Sequence, residues 1–254
     1  MRHTTLFSIV IAAAGLALSL AVLPAAAQDR GDAAWYRGCM TLTDTDPGRA
    51  LDQAEARRKA GGGTPAGHCA AVALVRLGRY DEGAARFEQL SAEAERPDLR
   101  AALLDQAAGA RLLQGSPEKA LALMDAAIAI APTDAGLRID KATALADLGR
   151  YSEAVGELDR AVALAPSSAD AYALRASALR RIDKTDAAAA DLERALALAP
   201  HHPEALLERG ILRAFRGDRS GARADWETLV AAAPKTDAAD AARANLDAMA
   251  QRRK

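Results

Sequence analysis

The chain holds 254 residues, half of them hydrophobic but only 4% aromatic, and its formal net charge is -1. Its apolar content is therefore mostly Ala and Leu, which favours helix over strand. The near-zero charge gives no electrostatic basis for binding nucleic acid or an anionic membrane.

The N-terminal segment reads as an export signal rather than as part of a fold. Arg2 and His3 precede an apolar run from Leu6 to Val22, Pro24 breaks the run, and Ala25-Ala26-Ala27 forms a small-residue cleavage site before Gln28. Residues 1–27 are thus expected to be removed by a cut after Ala27, leaving no membrane insertion. The competing reading is a retained anchor, against which the run is short for a bilayer that takes about 20 residues. A weaker unit follows over residues 28–63 and ends in Gly61-Gly62-Gly63.

From there the chain repeats. Pro132, Pro166, Pro200 and Pro234 stand 34 residues apart, a period that marks stacked units, each unable to bury its own apolar face. Five units are read as 64–97, 101–134, 135–168, 169–202 and 203–236, with Asp98–Arg100 as extra residues after the first. Residues 237–254 supply a capping helix and a basic tail. Each unit reads as two helices. In 135–168, Leu137, Ala142, Leu145 and Leu148 recur at helical spacing before Gly149; Val155, Leu158, Ala161 and Val162 mark a second helix that Pro166 ends. Gly149 suits the left-handed residue after a helix, and Gly78, Gly115 and Gly217 match it; Asp183 takes the place in one unit and fits that conformation less easily. Small residues (Ala108, Ala142, Ala176, Gly210) face large ones (Phe87, Met124, Leu158, Leu192, Trp226), as interdigitating helices require.

The run Leu148-Gly149-Arg150-Tyr151-Ser152-Glu153-Ala154, continued by Leu158, Ala161 and Pro166, resembles the tetratricopeptide repeat family, and Leu77-Gly78-Arg79-Tyr80-Asp81-Glu82-Gly83 repeats it. Departures are Gly83 for the family's Ala, Thr185, Arg219 and Pro117 for its Tyr, and Arg111 and Arg213 at apolar positions of the first helix. The resemblance implies an all-α, right-handed superhelical solenoid of antiparallel helix pairs, with each first helix on the concave face. It implies a non-enzymatic scaffold binding a protein or peptide partner, a helix or extended segment, in the periplasm or outside the cell. The concave candidates are Ile139, Thr143 and Asp147, then Ser177, Arg180 and Arg181, then Leu207, Ile211 and Phe215. Ile211 and Phe215 form an apolar patch by their spacing; the competing reading packs them against the capping helix. A family subgroup binds chaperone tails through Lys and Asn in successive first helices. Asp105, Gly109, Ile139 and Thr143 stand at those positions, which excludes that mode.

Cys39 and Cys69 are the chain's two cysteines. In an exported protein a disulfide is the leading reading, across adjacent first helices; two free thiols are the alternative, and with them a thiol-regulated binding protein. A metal site of Cys39, His68 and Cys69 is disfavoured, because neighbours on a helix diverge and a fourth ligand is not evident. His201 and His202, between Pro200 and Pro203, read as an exposed turn. No phosphate loop, paired-Cys redox motif or nucleophile elbow occurs, so neither catalysis nor a cofactor is expected. Lys141, Arg175 and Arg209 recur in first helices and Asp159, Asp191 and Asp225 in second helices, and these are read as structural pairs, worth little if exposed.

Overall fold

The computed structural model describes residues 30–251. The expected export signal of residues 1–27 and the tail residues Arg252, Arg253 and Lys254 lie outside the described residues. Among the described residues there are thirteen helices and no strand. Six hairpins follow one another: α1 (Arg30–Thr45) with α2 (Pro47–Lys59), α3 (Gly63–Arg76) with α4 (Tyr80–Glu93), α5 (Pro97–Leu113) with α6 (Pro117–Ile130), α7 (Ala135–Asp147) with α8 (Tyr151–Leu164), α9 (Ala169–Arg181) with α10 (Thr185–Leu198), and α11 (Pro203–Phe215) with α12 (Arg219–Ala232). A single helix, α13 (Asp237–Gln251), ends the series. Each helix packs mainly on its neighbours in sequence, so the molecule is an all-α superhelical stack with a ribbon of core running its length.

Local chemistry fixes the helix ends. Pro47, Pro97, Pro117 and Pro203 open α2, α5, α6 and α11, where a missing N–H is harmless. Asp134, Ser168 and His202 stand one period apart and cap α7, α9 and α11, accepting from the backbone N–H groups of Gly136, Ala171 and Ala205. His202 is thus a capping residue, and its Nε2 also meets Asp170 at 2.8 Å. The turn between paired helices uses a left-handed residue: φ is +74° at Gly149 and +60° at Asp183, the one non-glycine in that region among the described residues. The three extra residues Asp98–Arg100 lie inside α5, which has 17 residues against 13 in α7. They add most of one turn at its start and leave the phase of the following repeats intact.

The small-against-large pattern is the core. Ala142, Leu158, Ala176, Leu192 and Trp226 are all buried. Gly210 departs from Ala because Trp226 departs from Leu: a Cβ at Gly210 would lie 2.7 Å from the indole Cδ1. Gly83 has a similar cause, since a Cβ there would meet Val75 Cγ2 at 2.6 Å.

Candidate functional site

First helices of consecutive hairpins leave an opening between α7 and α9. It is a cavity of about 190 Å³ floored by Ala142, Ala146, Leu158, Leu174 and Ala178 and edged by Thr143, Asp147, Tyr151 and Ser177. Three of the residues expected on the concave face, Thr143, Asp147 and Ser177, therefore meet in one place. The rim is rich in acceptors. The Thr143 hydroxyl donates to the Ile139 carbonyl (3.0 Å) and the Ser177 hydroxyl donates to Glu208 Oε1 (3.1 Å). The Tyr151 phenol oxygen accepts from an Arg181 N–H (2.7 Å), and the Arg181 guanidinium lies 4.7 Å from the centre of the Tyr151 ring. Desolvation raises the Asp147 carboxyl above its ordinary range.

The remaining candidates divide. Arg180 is held by Glu208 (2.7 Å), a bridge between α9 and α11. Leu207 and Ile211 pack partly against the C-terminal core. Phe215 does not pack against the capping helix: it is 78% exposed, so the paired patch breaks, with Ile211 in the stack and Phe215 outside it. Four residues along a helix share a face, but Phe215 is the last residue of α11 and stands in solvent.

One period before Ile139 stands Asp105, on α5. Its Oδ1 is shut from solvent and receives no hydrogen bond. Burial pushes this carboxyl up to about 7, and the charges of Asp140 and Asp134 push the same way. Asp140, on α7, is raised by burial and by Asp134. In the sequence Asp105 stands out only as a residue unlike the chaperone-binding pattern. Its place one repeat before Ile139, at a position expected on the concave face, is the available signal.

Tetratricopeptide repeat models match residues 70–135, 110–178 and 174–247. The chain belongs to the tetratricopeptide repeat family. Proteins of this family act as protein-interaction scaffolds, some of which bind peptides. Comparison with curated proteins gives no match. Among solved structures, a tetratricopeptide repeat protein of Parabacteroides merdae is 18% identical at a TM-score of 0.59, with 71% of each chain covered. A thermophilic tetratricopeptide repeat protein of Thermus thermophilus is 25% identical at 0.56, covering 69% of this chain and 95% of that one. YrrB, a tetratricopeptide repeat protein with an unusual peptide-binding site, is 18% identical at 0.51, covering 74% and 96%.

The tetratricopeptide stack is tied together at its N-terminal end by a different chemistry. Cys39 on α1 and Cys69 on α3 stand at disulfide distance, with Cα atoms 6.3 Å apart. Beside them His68 is threaded between Tyr36 of α1 (Nδ1 to the hydroxyl, 2.9 Å) and Gln106 of α5 (Nε2 to Oε1, 2.7 Å). With Tyr36 donating to Nδ1, the ring is neutral and donates from Nε2 to Gln106. Burial holds its pKa down to about 4. Among the described residues no group of three or more His, Cys, Asp or Glu side chains is placed to hold a metal ion, and His68 is spent on two neighbours.

Further along, each recurrent cation bridges two hairpins. Lys141 meets Glu157 (3.0 Å) and Asp125 (2.5 Å), Arg175 meets Asp191 (2.7 Å) and Asp159 (2.8 Å), and Arg209 meets Asp225 (2.8 Å) and Glu193 (3.2 Å). The acid 16 residues on belongs to the cation's own hairpin and the acid 16 residues back to the preceding one. The expected series Asp159, Asp191, Asp225 is thereby corrected: Glu157 is the partner in register with Asp191 and Asp225, and all three are buried. Arg111 and Arg213, at apolar family positions, are also used, against Glu88 (2.7 Å) and Asp225 (2.9 Å).

Proposed function

We propose that this chain is an exported, non-enzymatic scaffold that receives a helical or extended segment of a protein partner on its concave face, in the periplasm or outside the cell. The observation that carries this reading is the cavity between α7 and α9, where side chains from two successive first helices form an apolar floor with a polar rim. Family membership supports the scaffold role, and YrrB, named for its peptide-binding site, offers a parallel. The export reading rests on the signal-like layout of residues 1–27. A photoreactive residue at Thr143 or Leu207 should crosslink the partner in intact cells. The same probe at Arg160 or Glu227, on second helices, should not. Crosslinks confined to the second-helix positions would overturn the groove assignment.

The second reading, thiol-regulated binding, is opposed by burial. Cys39 and Cys69 are 2% and 0% exposed, and thiol exchange needs access to a sulfur. We therefore read the pair as a staple between the first two hairpins.

A further inference from the structure

We propose that the cavity between α7 and α9 is a lysine-side-chain pocket, so that the partner segment on the concave face is a basic one. The inference rests on the scaffold reading above and gives it a chemistry.

A cavity of about 190 Å³ suits one long side chain; a void of about 150 Å³ already admits benzene. Its floor is aliphatic and its rim is oxygen. That division matches a lysine, which lays its methylene stem along apolar surface and keeps its ammonium in a polar setting. Apart from the Arg181 guanidinium, which is turned onto Tyr151, the rim offers lone pairs. The Thr143 and Ser177 hydroxyl hydrogens are committed to Ile139 and Glu208, which leaves both oxygens able to accept. Asp147 adds a carboxyl whose upward shift comes from desolvation. An ammonium has three donors and no acceptor, and it matches the acceptors of Thr143, Ser177 and Asp147.

A separate observation extends the same sign of charge along the groove. One repeat toward the N-terminus, Asp105, Asp140 and Asp134 lie close enough to repel one another, and Asp105 Oδ1 has no donor. The basic side chains nearby are already engaged: Arg180 by Glu208, Arg181 by the Tyr151 hydroxyl and ring, Lys141 by Glu157 and Asp125, Arg175 by Asp191 and Asp159. The face thus presents acceptors over two successive repeats.

The test uses three blocked nine-residue peptides of Ser and Ala with a central Lys, norleucine or Glu, titrated into the full mature chain and followed by amide NMR. The Lys peptide is expected to shift Thr143, Leu174 and Ser177 saturably, and Asp147→Asn to weaken it about tenfold, the equivalent of about 1.4 kcal/mol. Raised salt should weaken it as well. Equal binding of the norleucine peptide overturns the inference and leaves an apolar groove, so the scaffold reading survives. Equal binding of the Glu peptide, absence of shifts at the pocket, or an unchanged affinity in Asp147→Asn also overturns it. The scaffold reading itself falls only to the crosslinking result above.

Discussion

Replacing Asp105 by Asn should stabilise the protein, and more so as pH rises. An ordinary Asp loses its proton near pH 4. In the folded chain Asp105 holds its proton up to about 7, first because it is buried and then because Asp140 and Asp134 are close. A raised folded pKa means that below pH 4 both states are protonated and nothing is lost. As pH climbs from 4 towards 7, the unfolded chain releases the proton while the folded chain retains it, and stability falls. Delaying that release from near pH 4 to about 7 costs about 4 kcal/mol of stability once pH exceeds 7, and about 1.5 kcal/mol at pH 5. Asn cannot ionise, so the variant escapes this slope, whatever fixed cost its unpaired amide carries. Urea unfolding of parent and variant at pH 5 and pH 8 measures it. The variant's advantage should grow by about 2–3 kcal/mol between those pH values. A difference that stays constant with pH would show that Asp105 ionises freely and is not desolvated.

Other outcomes follow from the core and turns. Gly210→Ala should destabilise by about 1–2 kcal/mol, overpacking against Trp226 outweighing the helix propensity gained, and Trp226→Leu should rescue it by restoring the Ala176–Leu192 arrangement of the preceding hairpin; additive effects in urea unfolding would refute the coupling. Asp183→Gly should stabilise by up to about 1 kcal/mol, since φ is +60° there, and a lower melting temperature would contradict the strain. His68, with its folded pKa depressed to about 4, favours the folded state above pH 6.5 and loses that contribution as pH falls. About 2 kcal/mol should be gone by pH 5, and His68→Gln should flatten this slope in acid unfolding.

The hairpins are legible in the sequence because repetition imposes the same requirement at each copy: a left-handed residue at Gly149 and its equivalents, a helix stop near each Pro, a small residue opposite a large one. The cavity is legible only through Thr143, Asp147 and Ser177, whose repeat positions share one side of the stack. Periodicity tells which face of a helix is apolar, and it is silent on which neighbouring helix a polar side chain reaches. Hence spacing alone groups Asp159 with Asp191 and Asp225, although it lies two residues out of their register. Hence too the spacing of Ile211 and Phe215 does not reveal that the second ends its helix and stands in solvent. His68 is visible in the sequence as a neighbour of Cys69 but not as a link among three first helices, because Tyr36 and Gln106 are 32 and 38 residues away and carry no periodic mark.

Ion pairs link hairpins at the N-terminal end too, through Arg76–Asp44, Arg86–Glu55 and Arg111–Glu88, but the regular ladder belongs to one part of the stack. In the C-terminal part, Lys141, Arg175 and Arg209 each sit between a buried acid of their own hairpin and an exposed acid of the one before. Removing Arg175 would leave the buried Asp191 unpaired, which is far more damaging than losing an exposed pair, whereas Glu157 keeps Arg138 and Arg160 and Asp225 keeps Arg213. The ladder does not extend further. One period before Lys141 stands Ala107, and one period after Arg209 stands Arg243 of α13, which turns to Asp240 instead. Where the ladder is missing at the N-terminal end, Cys39, Cys69 and His68 tie α1, α3 and α5. Asp105 and Asp140 fall where the ladder ends, on α5 and α7. That is where the ladder supplies no cation for them.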